Sequence, residues 1–307
     1  MGEADSSACK NCAPGIPCTI PPRTGHMDSW EDIVSKALPQ IAVVQQEPGI
    51  PDCGVIVMTI ANAVHFAHHN RTVFSRIVCP TLTDSMLRKE VLCQIADKKE
   101  FSASGVTIGQ LKRFYDTSVP KIFIGVGEAS ERATTVTVKQ QIAVQHIPDY
   151  IDDLKLPLIM ELVNIPPWFR NLSKRELQVV KGVEGVLEHE PEKPPFPYAG
   201  TTTDAEGTAR AIVTSSLSKA VDPTCHPIGE ELRQTWNVPL GNHFLSITAC
   251  KKIGDGDHIV QLLSSWGERW GHNGRIRVRL GKISTSKLFD MDLKVHAPQV
   301  KANPSLV

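Results

Sequence analysis

Two stretches of the sequence carry residue types suited to thiol chemistry. Asp52-Cys53-Gly54 follows a loop broken by Pro48-Gly49 and Pro51, and it opens a mostly apolar run that continues to about Phe66. A cysteine there stands at the start of a helix. The unpaired N–H groups and partial positive charge of a helix start favour a thiolate and offer donors to an oxyanion. Far along the chain, Asn242-His243-Phe244-Leu245-Ser246-Ile247 sets an imidazole at the head of a strand-like run. A thiol becomes a useful nucleophile when an imidazole takes its proton, and the two need meet only in space. The bland alternatives are a buried structural cysteine and a histidine kept for core packing.

The elements that must position these residues follow from the apolar spacing. Trp30, Ile33, Val34, Ala37 and Leu38 recur at helical spacing, and Ile41–Val44 is a short β-like run. Cys53 to Phe66 reads as a buried helix. A further helix starts near Asp84, with Met86, Leu87, Val91, Leu92 and Ile95 on its apolar face. Thr134–Ile142 alternates as a strand, and residues 150–163 read as a helix stopped by Pro166-Pro167. Ser173 with Glu176 forms a capping box. Strand-like runs then dominate: Ile212-Val213, Phe244–Thr248, Ile259–Leu263 and Ile276–Leu280. The expected class is therefore α+β, helix-rich first and strand-rich last.

The bulk composition narrows the partners. Lys+Arg and Asp+Glu both number 33, so no net field draws the chain to nucleic acid or an anionic membrane surface. No apolar run is long enough to span a bilayer, and no signal peptide precedes Trp30, so a reducing intracellular setting, cytoplasmic or nuclear, is expected. Cys9, Cys12 and Cys18 lack a fourth ligand at paired spacing, so no metal or cofactor is expected. The Met1-Gly2 start fits a myristoylation pattern but is acidic, and a disordered leader is preferred there.

Two resemblances sharpen this reading. The nucleophile segment Gln46…Asp52-Cys53-Gly54-Val55, with Thr83-Asp84-Ser85-Met86-Leu87-Arg88 downstream, resembles the ubiquitin-like-protein-specific (SUMO) proteases over about residues 28–100. That resemblance implies Cys53 as nucleophile and Gln46 as oxyanion residue. The family's Gln position falls on Glu47, and its upstream His and Asp have only His26 and Asp28 as counterparts.

The back half resembles the C-terminal lobe of papain-family proteases over about residues 160–285. The likeness rests on Leu172-Ser173-Lys174-Arg175-Glu176-Leu177, on Phe196-Pro197-Tyr198-Ala199-Gly200, and on Ser264-Ser265-Trp266-Gly267-Glu268-Arg269-Trp270-Gly271-His272-Asn273-Gly274 after His243. It implies His243 as general base, Ser264 where the family has its orienting Asn, Trp266 shielding that partner from water, and Trp266 and Gly267 as binding residues. The papain nucleophile segment is missing, since no Cys lies between Cys93 and Cys225.

The combined expectation is an incomplete papain-like α+β peptidase. Its parts are a leader (1–29), a helical ubiquitin-like-protease segment (30–115), a connecting region (116–159), a papain-like lobe (160–290) and a tail (291–307). The function expected is that of a cysteine-type peptidase with impaired catalysis, acting on peptides or proteins, among them ubiquitin-like conjugates. The alternative is a non-catalytic peptide- or protein-binding pseudoprotease that retains the groove.

Overall fold

The computed structural model describes residues 30, 32–39, 43–46, 50–69, 82–96, 105–117, 134–191, 241–254, 256–281 and 287–302. The expectations placed on the leader, on His26 and Asp28, on Phe196–Gly200 and on Ile212-Val213 lie outside these residues.

A helix that is apolar on every side must be covered on every side, and Cys53–His69 (α2) is such a helix: all residues from Cys53 to Phe66 are buried. Around it pack Ile33–Ala37 (α1), Ser85–Ala96 (α3), Ile108–Thr117 (α4) and one face of a large sheet. The described strands are Thr134–Ile142 (β1), Leu158–Val163 (β2), Gln178–Val180 (β3), Val183–Leu187 (β4), His243–Gly254 (β5), Asp257–Leu263 (β6), Arg275–Leu280 (β7), Lys287–Leu288 (β8) and Met291–Ala302 (β9). They form one sheet in the order β1-β9-β2-β5-β6-β7-β4-β3, with β8 on β9. The pairs are antiparallel except β4 with β7.

Strand alternation sends successive residues to opposite faces. Ile159 and Phe244 join the core around α2, while Leu158, Met160, Leu245 and Ile247 join a second core on the other face. That second core is closed by Ile147–Leu154 (α5) and by Pro167–Arg170 (α6). The class is α+β, as the sequence suggests.

Three local expectations are corrected. Residues 150–163 do not form one helix: α5 ends at Leu154, where Lys155 turns left-handed at φ 50°. Pro157 then bars helical continuation, and 158–163 is the buried strand β2. Pro166-Pro167 begins a helix rather than ending one, with Pro166 at the N-cap and Pro167 at the first position of α6. The stretch read as a tail, 291–307, contains β9, which lies between β1 and β2 with Met291, Leu293, Val295 and Ala297 buried. The Ser173–Glu176 capping box is present and closes a single 3₁₀ turn.

The helical segment is fastened to the sheet by Asn62, in the third turn of α2. Its amide donates to the Val136 carbonyl at 3.2 Å and its carbonyl accepts from the Val136 N–H at 2.9 Å. One side chain thus completes both backbone groups of Val136 as a neighbouring strand would. Asn62→Ala leaves these buried groups without that partner, and the expected loss is about 2 kcal/mol. Urea denaturation of the two proteins checks this through a lower midpoint at unchanged m-value.

Candidate active site

Cys53 occupies the first turn of α2. Asp52 precedes it in the capping position, its carbonyl accepting the Ile56 N–H at 2.9 Å. The Asp52 carboxylate is fully buried and takes the Arg88 Nε at 2.6 Å, while Arg88 Nη1 donates to the Leu82 carbonyl at 2.8 Å. The helix bearing the thiol is therefore anchored to α3 by a buried ion pair next to the cysteine. Gly54 allows close approach to the sheet: a Cβ there would lie 2.9 Å from Leu111 Cδ1 and 3.3 Å from Phe244 Cδ2.

The backbone N–H groups of Phe244, Gly54 and Cys53 itself act on the thiol to lower its pKa. These donors favour a thiolate, as expected of a helix start. Burial outweighs them, and the Asp52 carboxylate works in the same direction as burial, so the thiol is pushed up to about 11. The lowered thiol pKa expected from the sequence is thus corrected, because the sulfur is desolvated as well as donated to.

His243 heads β5, paired across to Leu162 in β2, and only 3% of it is exposed. Its Nε2 lies 3.3 Å from Ser264 Oγ, which also accepts the Trp266 N–H at 3.2 Å. The ring stacks on the Trp266 indole with centroids 3.9 Å apart and planes 13° apart. Trp266 meets Phe169 and Trp270 edge-on, and the Trp270 indole N–H is fixed on the Phe169 carbonyl at 2.7 Å. Burial, with the nearby Arg170 guanidinium acting in the same direction, takes the imidazole down to about 3. Thiol and imidazole therefore both rest neutral across the physiological range.

The two halves meet at two places. One is Gly54, next to Cys53, packed against Phe244, one residue after His243. The other is the short segment 43–46, which docks on the Trp-Gly loop. Gln45 bridges to Trp266, the Gln46 N–H donates to the Ser265 carbonyl at 2.6 Å, and Ser265 Oγ donates to Gln46 Oε1 at 3.1 Å. Gln46 spends one amide hydrogen on the Ile50 carbonyl. Gly267 has φ +84°, and a Cβ there would lie 3.0 Å from Gln45 Oε1. The loop's glycine thus makes room for the glutamine pair that leads to Cys53. Gln46, His243, Ser264, Trp266 and Gly267 thus gather at the Trp-Gly loop, while among the described residues no hydrogen bond joins Cys53 to His243. Among the described residues no cluster of His, Cys, Asp and Glu could hold a metal ion, and no helix is long and apolar enough to cross a membrane.

Arg88 and Arg170 escaped the sequence reading. For Arg88 a signal existed: Arg88, Val91, Leu92 and Ile95 share one face at helical spacing, so a cation sits on an apolar stripe and calls for a buried carboxylate. Arg170 has no such pattern.

No protein-family model matches the chain, and no curated protein matches it. Among solved structures, the chain is similar to the proform of the ragweed pollen cysteine protease Amb a 11, with TM-score 0.39 and 10% identity over 90% of this chain and 66% of that one. It is similar also to procathepsin B S9 from Trypanosoma congolense, with TM-score 0.41 and 12% identity over 92% and 84% of the two chains. Neither likeness assigns a role to any residue of this chain. The front segment's resemblance to ubiquitin-like-protein proteases gains no support. Those enzymes have their histidine before the cysteine, whereas α2 packs against a strand whose histidine, His243, follows Cys53.

Two outcomes are expected of this arrangement. Arg88→Met removes the ion-pair partner of a buried carboxylate and costs about 3–5 kcal/mol, much of it recovered in Asp52→Asn/Arg88→Met; chemical denaturation of the single and double variants measures both. Iodoacetamide labelling of Cys53 in the folded protein should be at least about tenfold slower at pH 7.5 than after unfolding. Its rate should climb only toward pH 11, since a raised thiol pKa withholds the thiolate until alkaline pH.

Proposed function

We propose that this chain carries a papain-like cysteine-peptidase site built from Cys53 and His243, with catalysis impaired by its neutral resting state. The observation that carries the reading is a histidine stacked on Trp266 and held by Ser264, at the loop on which the segment leading to Cys53 docks. An imidazole donating from Nε2 to Ser264 keeps its Nδ1 lone pair as the base.

In this reading His243 takes the thiol proton as sulfur bonds to the peptide carbonyl carbon, and the carbonyl electron pair moves to oxygen. Donors at the start of α2 and the second amide hydrogen of Gln46 take up that charge. The imidazolium then protonates the leaving amine as the C–N bond breaks. Water, deprotonated by the same ring, releases the acid and restores the thiol.

Impairment follows from two features. The buried pair must separate charge during the reaction instead of resting as thiolate and imidazolium. The hydroxyl of Ser264 also reaches the ring at 3.3 Å, where a longer amide side chain would reach further. The same neutral pair supports a second reading, a groove that binds peptides without cutting them. Substrates are peptides or proteins; ubiquitin-like conjugates are the narrower possibility.

Fluorogenic peptides and ubiquitin-like conjugates test the proposal. Slow turnover is expected, abolished by Cys53→Ala and by His243→Ala, and raised by at least about tenfold in Ser264→Asn as the imidazole is better oriented. Turnover that survives Cys53→Ala sinks the assignment. Binding without turnover in every variant favours the peptide-binding reading.

A further inference from the structure

Arg170 ends the four-residue helix α6, directly after the buried Trp168 and Phe169. Its guanidinium carbon lies 5.9 Å from the centre of the Trp266 ring, on whose indole His243 is stacked. The side chain is partly desolvated, enough to lower its own pKa. The fully buried arginines of this fold are satisfied by hydrogen bonds: Arg88 holds Asp52 and the Leu82 carbonyl, and Arg277, which also lies over the Trp30 ring, donates to Gln261 and the Glu184 carbonyl. Among the described residues Arg170 has no hydrogen-bond or ion-pair partner, and the aromatic face of Trp266 is its one polar contact.

A half-buried guanidinium in this state has given up part of its water and gained only a weak quadrupole interaction. Its planar fork of donors suits a carboxylate, which it can hold by two parallel hydrogen bonds. We propose that Arg170 is a specificity-determining residue of this site, binding a carboxylate of the peptide ligand beside Trp266 and His243. This rests on the peptide-site reading above. The carboxylate is either an acidic side chain or the ligand's free C-terminus, and both present the same chemistry.

The position adds a coupling. Arg170 is the nearby charge that opposes protonation of His243. A bound carboxylate offsets that charge, so the imidazole accepts a proton more readily with an anionic ligand in place than without one. The ligand that satisfies Arg170 thereby assists the base next to it.

The test uses the full-length Cys53→Ala protein, so that binding is read without turnover. Isothermal titration compares four peptides of one scaffold: Glu-containing or Gln-containing, each with a free or an amidated C-terminus. The expected result is about 10- to 100-fold tighter binding of carboxylate-bearing peptides, in line with a hydrogen-bonded charge pair. The free-acid and Glu arms identify the source of the carboxylate. The ratio should collapse toward unity in Arg170→Gln and return in part in Arg170→Lys, a pattern that lost packing alone would not give. Equal affinity for all four peptides, no binding of any, or a preference that persists in Arg170→Gln overturns the inference. Carboxylate-selective binding by a chain whose Cys53-containing form never cleaves upholds the inference while removing the peptidase reading.

Discussion

Everything about the candidate site depends on how completely α2 is buried. A helix without a polar face cannot stop at one contact, so it draws α1, α3 and α4 around it and presses its first turn against β5. That pressure places Cys53 beside Phe244 and admits no side chain at Gly54. The cost is paid in polar groups: Asp52 needs Arg88, and Asn62 serves the backbone of Val136. Each of these polar contacts also fixes orientation, since a buried carboxylate or amide has few acceptable positions.

Burial also sets the chemistry. The helix start and its N–H groups would ready a solvated cysteine for attack, yet here desolvation dominates and the sulfur stays protonated. On the other side of the junction, the same exclusion of water and the Arg170 charge keep His243 unprotonated. Tight packing around both side chains thus removes the solvent that would have stabilised them as ions.

The elements that carry the candidate residues were legible in the sequence where local rules set them. Cys53 follows a loop breaker and heads an apolar run; His243 heads a strand; the glycines of the Trp-Gly loop announce turns. What failed were elements whose identity is set by tertiary surroundings. Residues 158–163 have no alternation because both faces of β2 are covered, and a short apolar run of that kind reads equally as helix. The inward residues of β9 are separated by Asp292, Lys294 and His296, which disguise a central strand as a surface segment. Arg88 and Arg170 act through partners remote in sequence, and no local spacing encodes those.

The place of β9 in the sheet has a consequence for how the molecule is made. Its register pairs Thr134 with Ala302, two residues 302 − 134 = 168 positions apart, and the strand fills the gap between β1 and β2. Until that strand arrives, β1 has no sheet neighbour among the described strands and hangs on the helices through Asn62. Loop-closure entropy for so distant a pair must be met before its contacts reward it. Closure of the sheet therefore depends on a pairing distant in sequence, and until β9 inserts, the edges of β1 and β2 that it covers stay unpaired.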